Sequence, residues 1–128
     1  MKTLIVDDEP LVRLSLGRAL HKRGHQVLEA EDGLSGKELW LRERPDLVYL
    51  DVLMPRLSGP ELLKVMAEHS PRSGKVILMS AYTGEYNLEK AKSVGADLFI
   101  LKPISDIFAI VQLGEELVDA RPAQISRS

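Results

Sequence analysis

The sequence predicts an α/β fold, a parallel sheet with helices on both faces. Three observations predict it. Strand-like and helix-like stretches alternate along the 128 residues, as strand–helix–strand crossovers require. The strand-like stretches are short, continuous apolar runs such as Leu4-Ile5-Val6, expected of strands covered on both faces. Three of the runs stop at a charged residue: the run from Lys2 at Asp7-Asp8, the run from Asp46 at Asp51, and the run from Asp97 at Lys102.

Each element has a local reason. Pro10 follows the first strand and suits the first turn of a helix. Val12, Leu16, Ala19 and Leu20 then share one helical face, and Gly24 ends it. His25 to Glu29 reads as a weaker strand. Asp32-Gly33 marks a turn, and Leu34 to Glu43 a helix anchored by Leu39 and Trp40, with Pro45 as its stop. Leu47 to Leu50 is the most apolar strand. A loop from Asp51 to Ser58 leads into a helix from Gly59 to about His69, and residues 70–74 form a loop. Lys75 to Met79 is the fourth strand, residues 80–84 a loop, and Glu85 to Val94 a short polar helix closed by Gly95. Asp97 to Leu101 is the fifth strand. Ser105 is placed to cap a last helix running to about Asp119. Residues 1–120 form one domain, and 121–128 a polar tail or the start of a linker.

Composition narrows the function. Hydrophobic residues make up 45% of the chain, enough for a core. The formal charge of −2 gives no footprint for nucleic acid. The absence of cysteine excludes disulfides and thiolate chemistry. No apolar stretch is long enough to span a bilayer, and no leader precedes the first strand, so a cytoplasmic location is expected.

In open α/β sheets, ligands bind beyond the carboxyl ends of the strands. Asp7, Asp8, Asp51, Ser80 and Lys102 all fall there. Taken singly, each has a plain explanation: Asp8 a helix cap, Asp51 a turn residue, Lys102 a solvated lysine. Five at one edge are harder to dismiss. Close-packed carboxylates repel one another unless a cation lies between them. Magnesium suits the gap, because it takes one or two carboxylates plus a phosphate. Asp7 and Asp8 fit as metal acids. Asp51 fits as both ligand and nucleophile, since a carboxylate can form an acyl phosphate. Lys102 would neutralise the phosphoryl oxygens, and the Ser80 hydroxyl would donate to one of them.

The chain resembles the receiver domain of two-component response regulators from Lys2 to about Asp119. The matching pieces are Val6-Asp7-Asp8-Glu9-Pro10, Leu50-Asp51-Val52-Leu53-Met54-Pro55, Met79-Ser80-Ala81-Tyr82 and Leu101-Lys102-Pro103. The resemblance implies a doubly wound, flavodoxin-like (βα)5 fold with strand order 2-1-3-4-5. It implies that Asp51 accepts a phosphoryl group from a histidine kinase or a histidine phosphotransfer domain. It implies Mg2+ held by Asp7 or Asp8, by Asp51, and by the backbone carbonyl of Leu53. It makes Ser80 and Phe99 the switch pair and the Lys102–Pro103 peptide cis, with output through the fourth helix, fifth strand and last helix. The chain would then be a signalling phosphoacceptor that assists its own phosphorylation and dephosphorylation, not a turnover enzyme. Two positions depart from the commonest pattern. Ser58 stands where receivers usually carry aspartate, and the apolar Leu53 lies two residues after Asp51. Leu53 and Tyr82 predict slow hydrolysis of the acyl phosphate.

The surfaces carry further expectations. The last helix holds two apolar stripes, and a surface helix needs one. The resemblance puts Leu113 and Leu117 inside, leaving Ile107, Phe108, Val111 and Val118 as an exposed interface for a homodimer or a partner. Leu11 and Leu14, off the buried face of the first helix, are expected to form a kinase-docking patch with Pro55, Arg56 and the loop after Pro103. Three rivals compete with this reading. A haloacid-dehalogenase-type phosphatase would carry Asp-x-Asp after the first strand, whereas Asp7-Asp8 are adjacent. A flavodoxin-like cofactor binder would need a phosphate cradle where these acids stand. A degenerate receiver, acting as a phosphorylation-independent binding module, has no need to retain Asp7, Asp8, Asp51, Ser80 and Lys102 together.

Overall fold

A computed structural model describes residues 1–69, 72–81 and 87–120. Strands β1 (Lys2–Val6), β2 (Gln26–Ala30), β3 (Leu47–Asp51), β4 (Lys75–Ser80) and β5 (Leu98–Leu101) form one parallel sheet in the order 2-1-3-4-5. Helices α1 (Pro10–Lys22), α2 (Gly33–Glu43), α3 (Gly59–Ala67), α4 (Leu88–Ser93) and α5 (Ile107–Asp119) connect and cover it. β3 lies at the centre and is buried over its whole length. That explains why its sequence is the most apolar.

The strand period of two divides the core into two layers. Leu4, Val6, Val48, Leu50, Val76 and Leu78 face one way, with Trp40, Leu62, Leu63 and Met66 from α2 and α3. Ile5, Leu47, Tyr49, Ile77, Met79 and Ile100 face the other, with Leu16, Ala19 and Leu20 from α1 and Val111 from α5. Register then fixes the site. Val6 pairs with Leu50, so Asp7 and Asp51 stand level one step beyond. Ser80 pairs with Leu101, which puts Lys102 just past Ser80.

The caps are mostly those the sequence invites. Asp32 caps α2 through the Ser35 amide. Ser58 and Glu61 form a reciprocal capping box at α3, the two-donor arrangement such residues favour. Ser58 thus supplies the cap of this helix itself. One cap differs from its expectation, one plain explanation falls away, and one expected helix start lies outside the described residues. α5 is capped by Asp106, whose side chain accepts from the Ala109 amide, and not by Ser105. α1 begins after Glu9 with no side-chain cap, so Asp8 is not its capping residue. α4 begins at Leu88 under an Asn87 cap, and the expected start at Glu85 lies outside the described residues, as do Tyr82 and the tail from Arg121.

The last helix requires a larger correction. Val111 is fully buried, so it belongs to no exposed interface. Ile107, Val118, Leu113 and Leu117 all pack, half-buried, against the same core layer, as do Ile104 and Ile110. The reason is Gly114. A Cβ there would run into the Tyr49 hydroxyl and the Leu47 side chain. The glycine lets α5 sit close to the sheet, and Tyr49 donates its hydroxyl to the Ile110 carbonyl at 2.8 Å. The seam is therefore Ile107–Val111–Gly114–Val118, a helical stripe whose central residue has no side chain to advertise it. Of the expected interface on this helix, Phe108 remains, 54% exposed.

Candidate functional site

β1, β3, β4 and β5 deliver their end residues to one pocket. Asp7 is fully buried, Asp51 is 5% exposed and Ser80 is 3% exposed, while Asp8 is exposed. Gly59 holds the β3 end close: its amide donates to the Val52 carbonyl at 2.9 Å, and a Cβ there would strike the Asp51 carbonyl. Asp8, Glu9, Asp51, Leu53, Ser80, Ala81 and Lys102 line an open pocket of about 460 Å³. The Lys102–Pro103 peptide is cis, as expected.

Lys102 is the counter-charge. Its ammonium lies 2.9 Å from Asp7 Oδ2 and 3.4 Å from Asp51 Oδ1, with its side chain only 7% exposed. Burial pushes the Asp51 carboxyl up to about 7, and the neighbouring Asp7 charge adds to the push while Lys102 restrains it. Burial likewise raises Asp7, against the Glu9 amide and Lys102. Burial works against the charged form of Lys102, but hydrogen bonds to Glu9 and Asp7 and the Asp51 charge hold its pKa above the usual range. One lysine does not balance this group of acids.

Two observations fit a bound divalent cation. Asp7, Asp8 and Asp51 each present an oxygen within 4.8 Å of the others. Asp7 Oδ2, although close to the lysine, has no well-directed hydrogen bond. A buried carboxylate that shares its one positive partner with other acids costs stability, and a second cation relieves it. Hard cations take oxygen donors of this kind.

Two further residues, to which the sequence assigns no role, join the site. Glu9 Oε1 contacts Lys102 Nζ at 2.5 Å. Arg13, one turn into α1, donates to the Asp7 carbonyl at 2.6 Å and faces Glu29 at 3.6 Å, which ties the acid-bearing turn to α1 and β2. The signal for Glu9 was faint: glutamate is a poor N-cap residue, so its place before Pro10 asked for another role. Leu53 is 68% exposed at the pocket mouth, where the sequence put it. Phe99 is half-buried on β5 and packs on the layer that holds Ala91 and Val94.

Comparison with known proteins settles the family. Residues 3–112 match the response regulator receiver domain. The chain belongs to the response regulator receiver family. Among similar receivers, it is 37% identical over 102 residues to sporulation initiation phosphotransferase F of Bacillus subtilis, covering 80% of this chain and 82% of that protein. It is 34% identical to the transcriptional regulatory protein PdtaR of Mycobacterium tuberculosis, covering 88% of this chain but only 55% of that protein. The chain thus spans about half the length of that relative. Among solved structures, the receiver domain of the putative response regulator NarL from Mycobacterium tuberculosis superposes with a TM-score of 0.82 at 30% identity, covering 94% of this chain and 97% of that one. A CheY-like receiver from Methanospirillum hungatei gives 0.83 at 27% identity, covering 92% and 93%. Among the described residues, no helix of this receiver is long and apolar enough to cross a membrane.

Proposed function

We propose that this receiver accepts a phosphoryl group on Asp51 from a phosphohistidine donor and so acts as a reversible signalling switch. The observation that carries the proposal is the placement of Asp51: a nearly buried strand-end carboxylate, within reach of Lys102, that opens onto the pocket. A carboxylate oxygen of Asp51 attacks phosphorus. The new bond is O–P, and the phosphohistidine N–P bond breaks, its electron pair staying on the imidazole, which takes up a proton. Asp8, Asp51 and the Leu53 backbone carbonyl would hold Mg2+, with Asp7 completing the acid set. When bound, the ion would supply positive charge that offsets the negative charge of the phosphoryl group. Lys102 would bind a phosphoryl oxygen, and the Ser80 hydroxyl would donate to another. Phe99, on the strand beside Ser80, would turn inward as that hydroxyl moves, a two-state equilibrium biased by one charge-assisted contact.

The partner is a histidine kinase or phosphotransfer domain in the cytoplasm. A hollow of about 470 Å³ beside the site is lined by Leu11, Val12, Ser15, Pro103, Ile104 and Ile107. Leu11 is 77% exposed beside it, and Leu14 lies exposed further along the helix. We assign donor docking to this face. We place a homodimer contact on the α4–β5–α5 face, where Phe108, Leu101 and Leu88 are exposed.

The test is phosphorylation of wild type and Asp51→Ala by acetyl phosphate with magnesium, read by intact mass. Wild type gains one phosphoryl group and the variant gains none. Equal labelling of both, or no labelling of wild type, would overturn the assignment. Sedimentation of the same samples tests the dimer, and a monomer in both states would remove it.

A further inference from the structure

Glu9 stands at the start of α1 yet does not cap it. Its carboxylate points across to Lys102 instead. An ammonium group has three protons to donate, and Lys102 directs its charge at Asp7, Glu9 and Asp51. The hydrogen-bonded contact is the one to Glu9, and an arriving phosphoryl oxygen competes for that charge. Asp7 and Asp51 are fixed at buried strand ends. Glu9 is 58% exposed at its side chain and rides on a helix terminus. It is the group that can leave. The pocket over Asp51 and the hollow beside α1 share Glu9, Ala81 and Lys102 as a common wall, so a released carboxylate has solvated space on the far side.

We propose that Glu9 is a positioning residue that occupies Lys102 in the resting receiver and competes with the phosphoryl group for it. Its charge at the pocket mouth also disfavours small anionic phosphodonors. The proposal rests on Asp51 as the phosphoacceptor, and its test separates the two. Wild type, Glu9→Gln, Lys102→Ala and the double variant are phosphorylated under saturating magnesium. The donors are acetyl phosphate, which is doubly charged, and phosphoramidate, which carries less charge. Glu9→Gln is expected to react about threefold to fivefold faster with acetyl phosphate, the scale of one partly solvated ion pair. The gain appears in the apparent KM for the donor, shrinks with phosphoramidate and at high salt, and vanishes in the Lys102→Ala background. If Lys102→Ala reacts too slowly to time, titration of the four proteins with beryllofluoride and magnesium, followed by fluorine NMR, is expected to show the same pattern in affinity. Unchanged rates for Glu9→Gln would overturn the proposal while leaving Asp51 in place. A gain that persists without Lys102 would overturn it too, because Glu9 would then act through its general field. Failure of wild type to label at all would take down the phosphoacceptor reading beneath it.

Discussion

The two ends of the sheet treat charge in opposite ways. At the amino ends of the strands, acids have partners of their own. Asp46 accepts from the Lys2 amide at 2.8 Å, Asp97 from the Val76 amide at 2.8 Å, and Glu115 is held by Arg23 and His25 together. Hydrogen bonds from Arg23 and then His25 pull Glu115 down to about 2. At the carboxyl ends, Asp7, Glu9 and Asp51 share one lysine, with Asp8 alongside, and Asp51 is pushed up to about 7. One end uses charge to hold the fold together. The other stores unfavourable charge that a cation and a phosphoryl group would relieve. Such local conflict within a consistent fold is where functional sites are expected.

The contrast can be broken most severely at Asp51. Asp51→Asn is expected to abolish phosphorylation and yet to raise stability without magnesium by about 1–3 kcal/mol, since the variant removes a buried charge from an acidic cluster. Chemical denaturation of both proteins at pH 8 measures this, and a less stable variant would contradict it. Metal should reverse the order. Magnesium is expected to raise the Tm of wild type and to raise that of Asp51→Asn less, because the variant loses a carboxylate ligand.

The next effect is a pH dependence of opposite sign at the two ends. The folded pKa of Asp51 is raised, so its favourable contribution is complete below the ordinary carboxylate range and is lost as pH rises through about 7. Wild type without metal should therefore gain stability between pH 8 and 5 relative to Asp51→Asn. The folded pKa of Glu115 is depressed. Its contribution is present above the ordinary glutamate value and is lost as pH falls toward about 2. Glu115→Gln should cost about 1 kcal/mol at pH 7, and the gap to wild type should close between pH 5 and 2. Urea midpoints across that range decide both signs.

The smallest effect lies at the pocket rim. Leu53, exposed beside Asp51, is expected to slow water attack on the acyl phosphate. Leu53→Asn should shorten its lifetime by a few fold, followed by loss of the phosphoryl mass after donor removal. A wild-type lifetime of seconds would count against a shielding role.

The element order, the two-faced burial of the inner strands and the placing of the acids at strand ends are legible in the sequence. Those features are written in local patterns: apolar runs of strand length, helix stops at Gly24 and Pro45, and charged residues where runs end. The resemblance to receivers then supplied the strand order. Which face of α5 is inside is not legible there, because that face is built around Gly114, and a missing side chain leaves no hydrophobic signal. Only the tertiary structure joined Glu9 to Lys102 and Arg13 to the Asp7 carbonyl. Periodicity reports which residues share a face of one element. It carries no information about which charged groups from different elements meet, because those distances are set by sheet register and helix docking.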